Sequence, residues 1–270
     1  MLVQCGFDIE FHLPEAATIL TLLRVHPSLG QQLRQPDTMK VVGGELHDEF
    51  VDSFGNLAAR VTAGFGSLYL STRFVTEVSG EPDAVNINGW QHPVEALPAA
   101  TLPYLLSSRY CEVDLMSPIA WDLFGHLPLG WAKVQGILDW VHQKVQFGYR
   151  FARPTKTALD VFNERTGVCR DFQHLAITFC RCLNIPARYA SGYLGDIGIE
   201  PTPGAPMDFS AWFEVYLDDR WWTCDARHNK PRIGRILMST GRDAADAAIT
   251  TTFGTSELKN FVVITDEIRG

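Results

Sequence analysis

Along the first eighty residues, apolar and polar positions alternate in short runs separated by turn residues: DIEFHL, TLLRVH, GGELHDEFVD and NLAARVT, then a further run over residues 69–78. Alternation with a period of two turns one face of each run toward a core and the other toward water. With Ser53-Phe54-Gly55-Asn56 as a turn, the segment predicts an antiparallel β-unit, a sandwich. Between residues 80 and 103, Pro82, Gly89, Pro93, Pro98 and Pro103 interrupt both ladders and helices and predict a connector. The division expected is an N-terminal β-sandwich domain with its connector over residues 1–103 and a second domain over residues 104–270.

After Ser117 the period changes. Pro118 in a first-turn position, followed by Ile119, Ala120, Leu123 and Phe124, predicts a short helix. Trp131, Val134, Ile137, Leu138, Val141 and Val145 recur at steps of three and four, which places one apolar stripe on a helix over residues 130–146. Residues 157–163 are a shorter candidate. Val168, Phe172, Leu175, Ala176, Phe179 and Leu183 predict a helix over residues 169–183, stopped by Asn184-Ile185-Pro186. Strands are expected over residues 187–194, 211–217 and 220–225, the last two joined by a tight Asp218-Asp219 hairpin.

Composition narrows the function. The 270 residues are 46% hydrophobic and 20% charged, enough apolar surface for a real core. With 23 basic against 31 acidic residues the net charge is −8, which disfavours a grip on a phosphate backbone. Residues 1–115 carry 6 basic and 14 acidic side chains and residues 116–270 carry 17 of each, so the excess lies in the first part. The start, MLVQCGFDIEF, lacks a basic segment followed by an apolar one, and the apolar stretch over residues 16–25 is broken by Arg24. A cytoplasmic protein with no membrane span is expected. Its six cysteines form no CxxC pair and are expected to be reduced thiols.

Cys169 follows Thr166-Gly167-Val168 and opens a predicted helix, where unpaired backbone N–H groups and the macrodipole favour a thiolate, the nucleophile of acyl chemistry. A buried, inert cysteine is the competing reading. Asp171, in the same first turn, suits the dipole whatever the function, and Cys180 and Cys182 read as packing residues. Cys169-x4-His174 with Cys224-x3-His228 is the only mixed spacing that resembles a metal set. If Asp225 faces a cleft, Cys224 faces away, so neither metal nor cofactor is expected. No phosphate-binding glycine loop appears. Arg227, Lys230, Arg232 and Arg235 read as a solvated basic surface, and the tryptophans as core with one a possible cleft wall. Gly192, Gly195, Gly198 and residues 201–206 read as a surface loop or a lid.

TGVCRDFQHLAITFCRCLNIPARYASGYL followed by SAWFEVYLDDRWWTCDARHN resembles the bacterial transglutaminase-like family in its candidate cysteine-protease branch. SRYCEVD at residues 108–114 and the β-rich beginning resemble it too. The resemblance implies an α+β fold with a papain-like, transglutaminase-like core, helices packed on an antiparallel sheet, and a Cys-His-Asp triad. It assigns the nucleophile to Cys169 and the orienting carboxylate to Asp225. Where relatives carry His before Ala-Trp, this chain has Ser210, which cannot act as a base near neutral pH.

Three outcomes follow. His228, three residues beyond Asp225 and so up to roughly 10 Å away along an extended strand, could be turned back to the thiol; His174 lies about 140° around the helix from Cys169 and is a poorer substitute. Ser210 could instead relay a proton to slow chemistry. Finally, the cleft could be catalytically silent and bind a partner. The expected partner is accordingly a peptide or protein amide substrate, or a protein held in the cleft, with no nucleic acid and no membrane.

Overall fold

The computed structural model describes residues 1–200 and 207–268, so residues 201–206 of the lid reading lie outside the described residues. The first unit is built from β1 (Leu2–Leu13), β2 (Ala17–Thr21), β3 (Lys40–Val42), β4 (Glu45–Val51), β5 (Leu57–Ala63) and β6 (Gly66–Glu77). β1 shows why these runs are strands: Val3, Cys5, Phe7, Ile9, Phe11 and Leu13 are all buried on one face. Each such side chain contributes about 1.5–3 kcal/mol through burial.

The helical part follows with α1 (Val113–Phe124), α2 (Trp131–Lys144), β7 (Gln146–Phe147), α3 (Ala158–Glu164), β8 (Thr166–Gly167) and α4 (Cys169–Cys182). Then come β9 (Ala187–Tyr193), β10 (Ser210–Leu217), β11 (Arg220–Cys224) and β12 (Ile236–Gly241), and last β13 (Thr250–Phe253) and β14 (Glu257–Glu267). The first sheet of the sandwich runs β14-β1-β6-β3 and the second β13-β2-β5-β4. The last two strands therefore return to the first unit, antiparallel to β1 and β2. A division at residue 103 places them with the wrong sheet partners.

The second unit packs α1, α2 and α3 around α4, which lies against the antiparallel sheet β11-β10-β9-β12. This is the α+β arrangement that the resemblance implies, helices packed on an antiparallel sheet, with an N-terminal sheet-rich unit. α4 is buried on every side from Asp171 to Cys182, where a single apolar stripe was expected. Two of its polar residues are satisfied from within: Thr178 Oγ1 donates to the His174 carbonyl at 2.7 Å, and Arg181 donates to the carbonyls of Ala187, Leu106 and Arg242. A buried cation held by carbonyl dipoles avoids the cost of an unpaired charge.

Two further corrections concern boundaries. α1 begins at Val113, so Pro118 is its sixth residue; the Ser117 hydroxyl donates to the Val113 carbonyl at 2.9 Å, and Pro118 and Asp114 are both exposed, so the missing bond faces water. β12 has no alternation to betray it, because ILMSTG is covered on both faces.

The two cores meet at one place that matters for function. Phe209, just ahead of β10, belongs to the sandwich core, with its ring 6.1 Å from Phe7, 5.0 Å from Tyr193 and 5.7 Å from Phe261. The sandwich thereby fixes the backbone of Asp208 and Ser210 on either side.

Candidate active site

Cys169 is the first residue of α4. The parallel β7–β8 pair, with Phe147 opposite Gly167, sets the approach of the chain, and Val168 caps the helix in an extended conformation. Asp171 Oδ2 accepts the Val168 N–H at 3.0 Å, and Arg170 binds Oδ1 at 3.1 Å. Gly167 permits this turn, since a Cβ there would lie 2.7 Å from Cβ of Asp171. Of the six cysteines, Cys169 alone is partly exposed.

Its sulfur opens onto a cleft of about 350 Å³ whose walls include Tyr110, Arg170, Tyr189, Asp208, Ser210 and the segment from Ala247 to Thr250. The backbone N–H groups of Ala211 and Arg170 lie near the sulfur and favour its charged form. Burial nevertheless pushes the Cys169 thiol up, and Asp208 adds to the effect, while Arg227 and the two N–H groups pull the other way without prevailing. The thiolate expected from the helix terminus is thus outweighed by desolvation. Iodoacetamide should modify Cys169 before the other five cysteines, with a rate that rises only above the free-thiol pKa of about 8.5; a rate already maximal at pH 6 contradicts this balance.

Ser210 lines the same cleft and is buried. Asp225 and His228 do not line it. Instead Asp225 organises the turn after β11: its Oδ1 accepts the N–H groups of Arg227 and His228 at 3.0 Å each, and Asn229 closes the turn at φ 48°. Oδ2 holds His228 Nδ1 at 2.8 Å and the Arg235 guanidinium at 2.9 Å. Gln173, one turn below Cys169, donates to Asp225 Oδ1 and accepts the Ala226 N–H. Burial would raise the Asp225 carboxyl, but His228, Arg235 and the backbone donors hold it far below the usual carboxylate range. Two of the four expected residues, Cys169 and Ser210, therefore share the cleft; the other two, Asp225 and His228, pair with each other.

The same network overturns the solvated reading of the basic run. Arg232 is buried, and Arg235 bridges Asp83 at 2.8 Å and Asp225, while Arg227 lies over the Phe147 ring at 3.8 Å. Of that run only Lys230 is exposed. Beneath the cleft, His174 Nε2 accepts the Ala244 N–H at 3.1 Å, and its ring stacks on Tyr110 at 5.0 Å and tilts against Tyr189 at 5.3 Å. Burial lowers the His174 imidazole well below its ordinary range, so it stays neutral and supports the tyrosine wall.

Sequence reasoning missed Asp208, Tyr110 and Tyr189 as cleft residues. Asp208 lies two residues before the Ala-Trp strand, close enough to have been flagged; the tyrosines come from distant segments that only the fold joins. No tryptophan is among the described residues of the cleft. Among the described residues no group of three or more His, Cys, Asp or Glu could hold a metal ion, and no helix is long and apolar enough to cross a membrane.

Residues 126–226 match the model of the Transglutaminase-like superfamily. A solved structure of a candidate cysteine protease from Cytophaga hutchinsonii superposes with a TM-score of 0.86 and 29% identity, covering 100% of this chain and 91% of that one. A Mycobacterium leprae protein is 29% identical over 113 residues, 40% of this chain and only 39% of its own length. A Mycobacterium tuberculosis protein is 26% identical over 217 residues, 72% of this chain and 68% of its own. Both mycobacterial proteins are named only as uncharacterized.

Proposed function

We propose that the protein is an acyl-transfer cysteine hydrolase acting on a peptide or protein amide or a related acyl group, with Cys169 as nucleophile and an atypical set of supporting residues. The observation that carries this reading is the position of Cys169 at the start of α4, the one cysteine of the chain that is not fully buried, lining a cleft with two backbone N–H groups near its sulfur. In the reaction the deprotonated sulfur attacks the acyl carbon and forms a C–S bond. The Arg170 and Ala211 N–H groups are placed to stabilise the negative oxygen that develops. Collapse expels the leaving group and leaves a thioester, which water then cleaves. The likeness to the Cytophaga hutchinsonii candidate protease supports hydrolysis over crosslinking.

A second reading is favoured by one observation: no imidazole lines the cleft among the described residues. In that reading the cleft holds a peptide or protein partner without turnover. Incubation with a nitrophenyl acyl ester, followed by intact-mass and peptide mapping, separates the two. Acylation of Cys169 that disappears in Cys169→Ala supports the hydrolase. If Cys169 stays unmodified while the protein retains its fold, the binding reading replaces it.

A further inference from the structure

The cleft's ionisable inventory is short. Arg170 is a permanent cation, bound to Asp171 and to the Arg153 carbonyl. The Tyr110 hydroxyl donates to the Pro154 carbonyl at 2.9 Å, and burial pushes the Tyr189 phenol well above its ordinary range. Asp208 is the remaining ionisable group of the cleft that Cys169 lines, near enough for its charge to act on the thiol, and it is a carboxylate. Among the described residues its partners are the Phe209 N–H and, at longer range, the Arg227 guanidinium; no ion pair ties it down. Phe209, clamped among Phe7, Tyr193 and Phe261, holds it in place.

We infer that Asp208 takes the proton from the Cys169 thiol and returns it to the leaving group, the part an imidazole would otherwise play. The inference rests on the acyl-transfer reading. In acylation the Asp208 carboxylate accepts the S–H proton, the C–S bond forms, and the bond from carbon to the leaving group breaks. The carboxylic acid then delivers that proton to the departing atom. In deacylation the carboxylate takes a proton from water, whose oxygen attacks the thioester, and the sulfur leaves and is reprotonated by Asp208. No oxidant or other co-reactant is required.

Burial raises the Asp208 carboxyl above the usual carboxylate range, and the Phe209 N–H and Arg227 only partly oppose it. A carboxylate remains a weaker base than imidazole, and the thiol that shares its cleft has itself been pushed up. The match is poor for amides, whose nitrogen must be protonated before it can leave, and better for thioesters and activated esters, whose leaving groups need the proton only as or after the bond breaks. The structure thus assigns the cleft to acyl thioesters or esters ahead of unactivated amides.

The test is the pH–rate profile of Cys169-dependent thioester and nitrophenyl-ester hydrolysis. The groups around Asp208 that also bear on it are Cys169, Arg170, Arg227 and Tyr149. In the native chain the rate should fall on the acid side as Asp208 protonates, with a midpoint above the ordinary carboxylate value of about 3.9. Asp208→Asn should lower the rate by about 10²–10³-fold and remove that acid limb. Asp208→Glu should keep the limb with a shifted midpoint, and formate should partly rescue Asp208→Ala. An Asp208→Asn enzyme within twofold of native, or an acid limb that survives in Asp208→Asn and vanishes in His228→Ala, overturns the inference while leaving the hydrolase reading intact. No acylation of Cys169, or hydrolysis that persists in Cys169→Ala, overturns the hydrolase reading itself, and the inference with it.

Discussion

Ser210→His should raise amide hydrolysis by at least about 10²-fold, toward the lower end of the 10²–10⁴ that a positioned general base supplies. Ser210 shares the cleft with Cys169, at the start of a strand whose preceding residue is anchored in the sandwich core. An imidazole there can take the thiol proton at neutral pH and return it to an amine, which a hydroxyl cannot. The gain should stay modest because Asp225, the carboxylate that would orient it, already holds His228 and Arg235. Freeing it with His228→Gln in the Ser210→His background should add a further increment. Amide turnover is measured with a fluorogenic peptide, with Cys169→Ala as the blank. If Ser210→His folds normally, acylates at Cys169 with an ester, and still shows no gain on amides, the cleft does not present an amide carbonyl to the sulfur.

Asp225→Ala should cost about 3–5 kcal/mol of stability, the range for stripping one partner from a buried ion pair. For a chain of this size that is a fall in Tm on the order of 10 °C. Asp225 carries the turn after β11, one anchor of Gln173 and half the charge balance of Arg235. Its removal leaves the buried Arg235 to Asp83 alone. The pH dependence has a definite sign. The folded-state carboxyl is depressed, so its contribution is fully present above the unfolded value of about 3.9 and is lost as pH falls below that toward the much lower folded value. Acid unfolding of Asp225→Asn should therefore be shallower than that of the native chain between about pH 4 and pH 2. Thermal melts across that interval check it; equal Tm values for native and Asp225→Ala at pH 7 contradict the buried-pair argument.

How much of this could be read from the residues depends on which signal each element carries. β1 and α2 announce themselves through clean periods of two and of three to four. α4 was found for the same reason, although its polar residues concealed that it is buried all round. β14 was missed because its pattern is mostly exposed and so shows almost no alternation. In the site, Cys169 and Ser210 stood out from local sequence. The pairing of Asp225 with His228 did not, because it depends on the left-handed Asn229 and on Arg235 arriving from beyond the turn. The rise of the Cys169 thiol was equally hidden: helix position argues for a thiolate, and only the packed structure reveals how little water reaches the sulfur.

The return of β13 and β14 to the first sheets has a consequence for synthesis on the ribosome. β1 emerges among the first residues, yet its antiparallel neighbour β14 spans Glu257–Glu267. At about 5–20 residues per second, the backbone edge of β1 waits on the order of 10 seconds or more for its partner. The α4 core, whose pieces all precede residue 248, can close first. The chain is therefore expected to mature in the reverse of its reading order, with the Cys169-bearing unit acting as the platform on which the leading sandwich is finished, and with an open strand edge as its most aggregation-prone nascent feature.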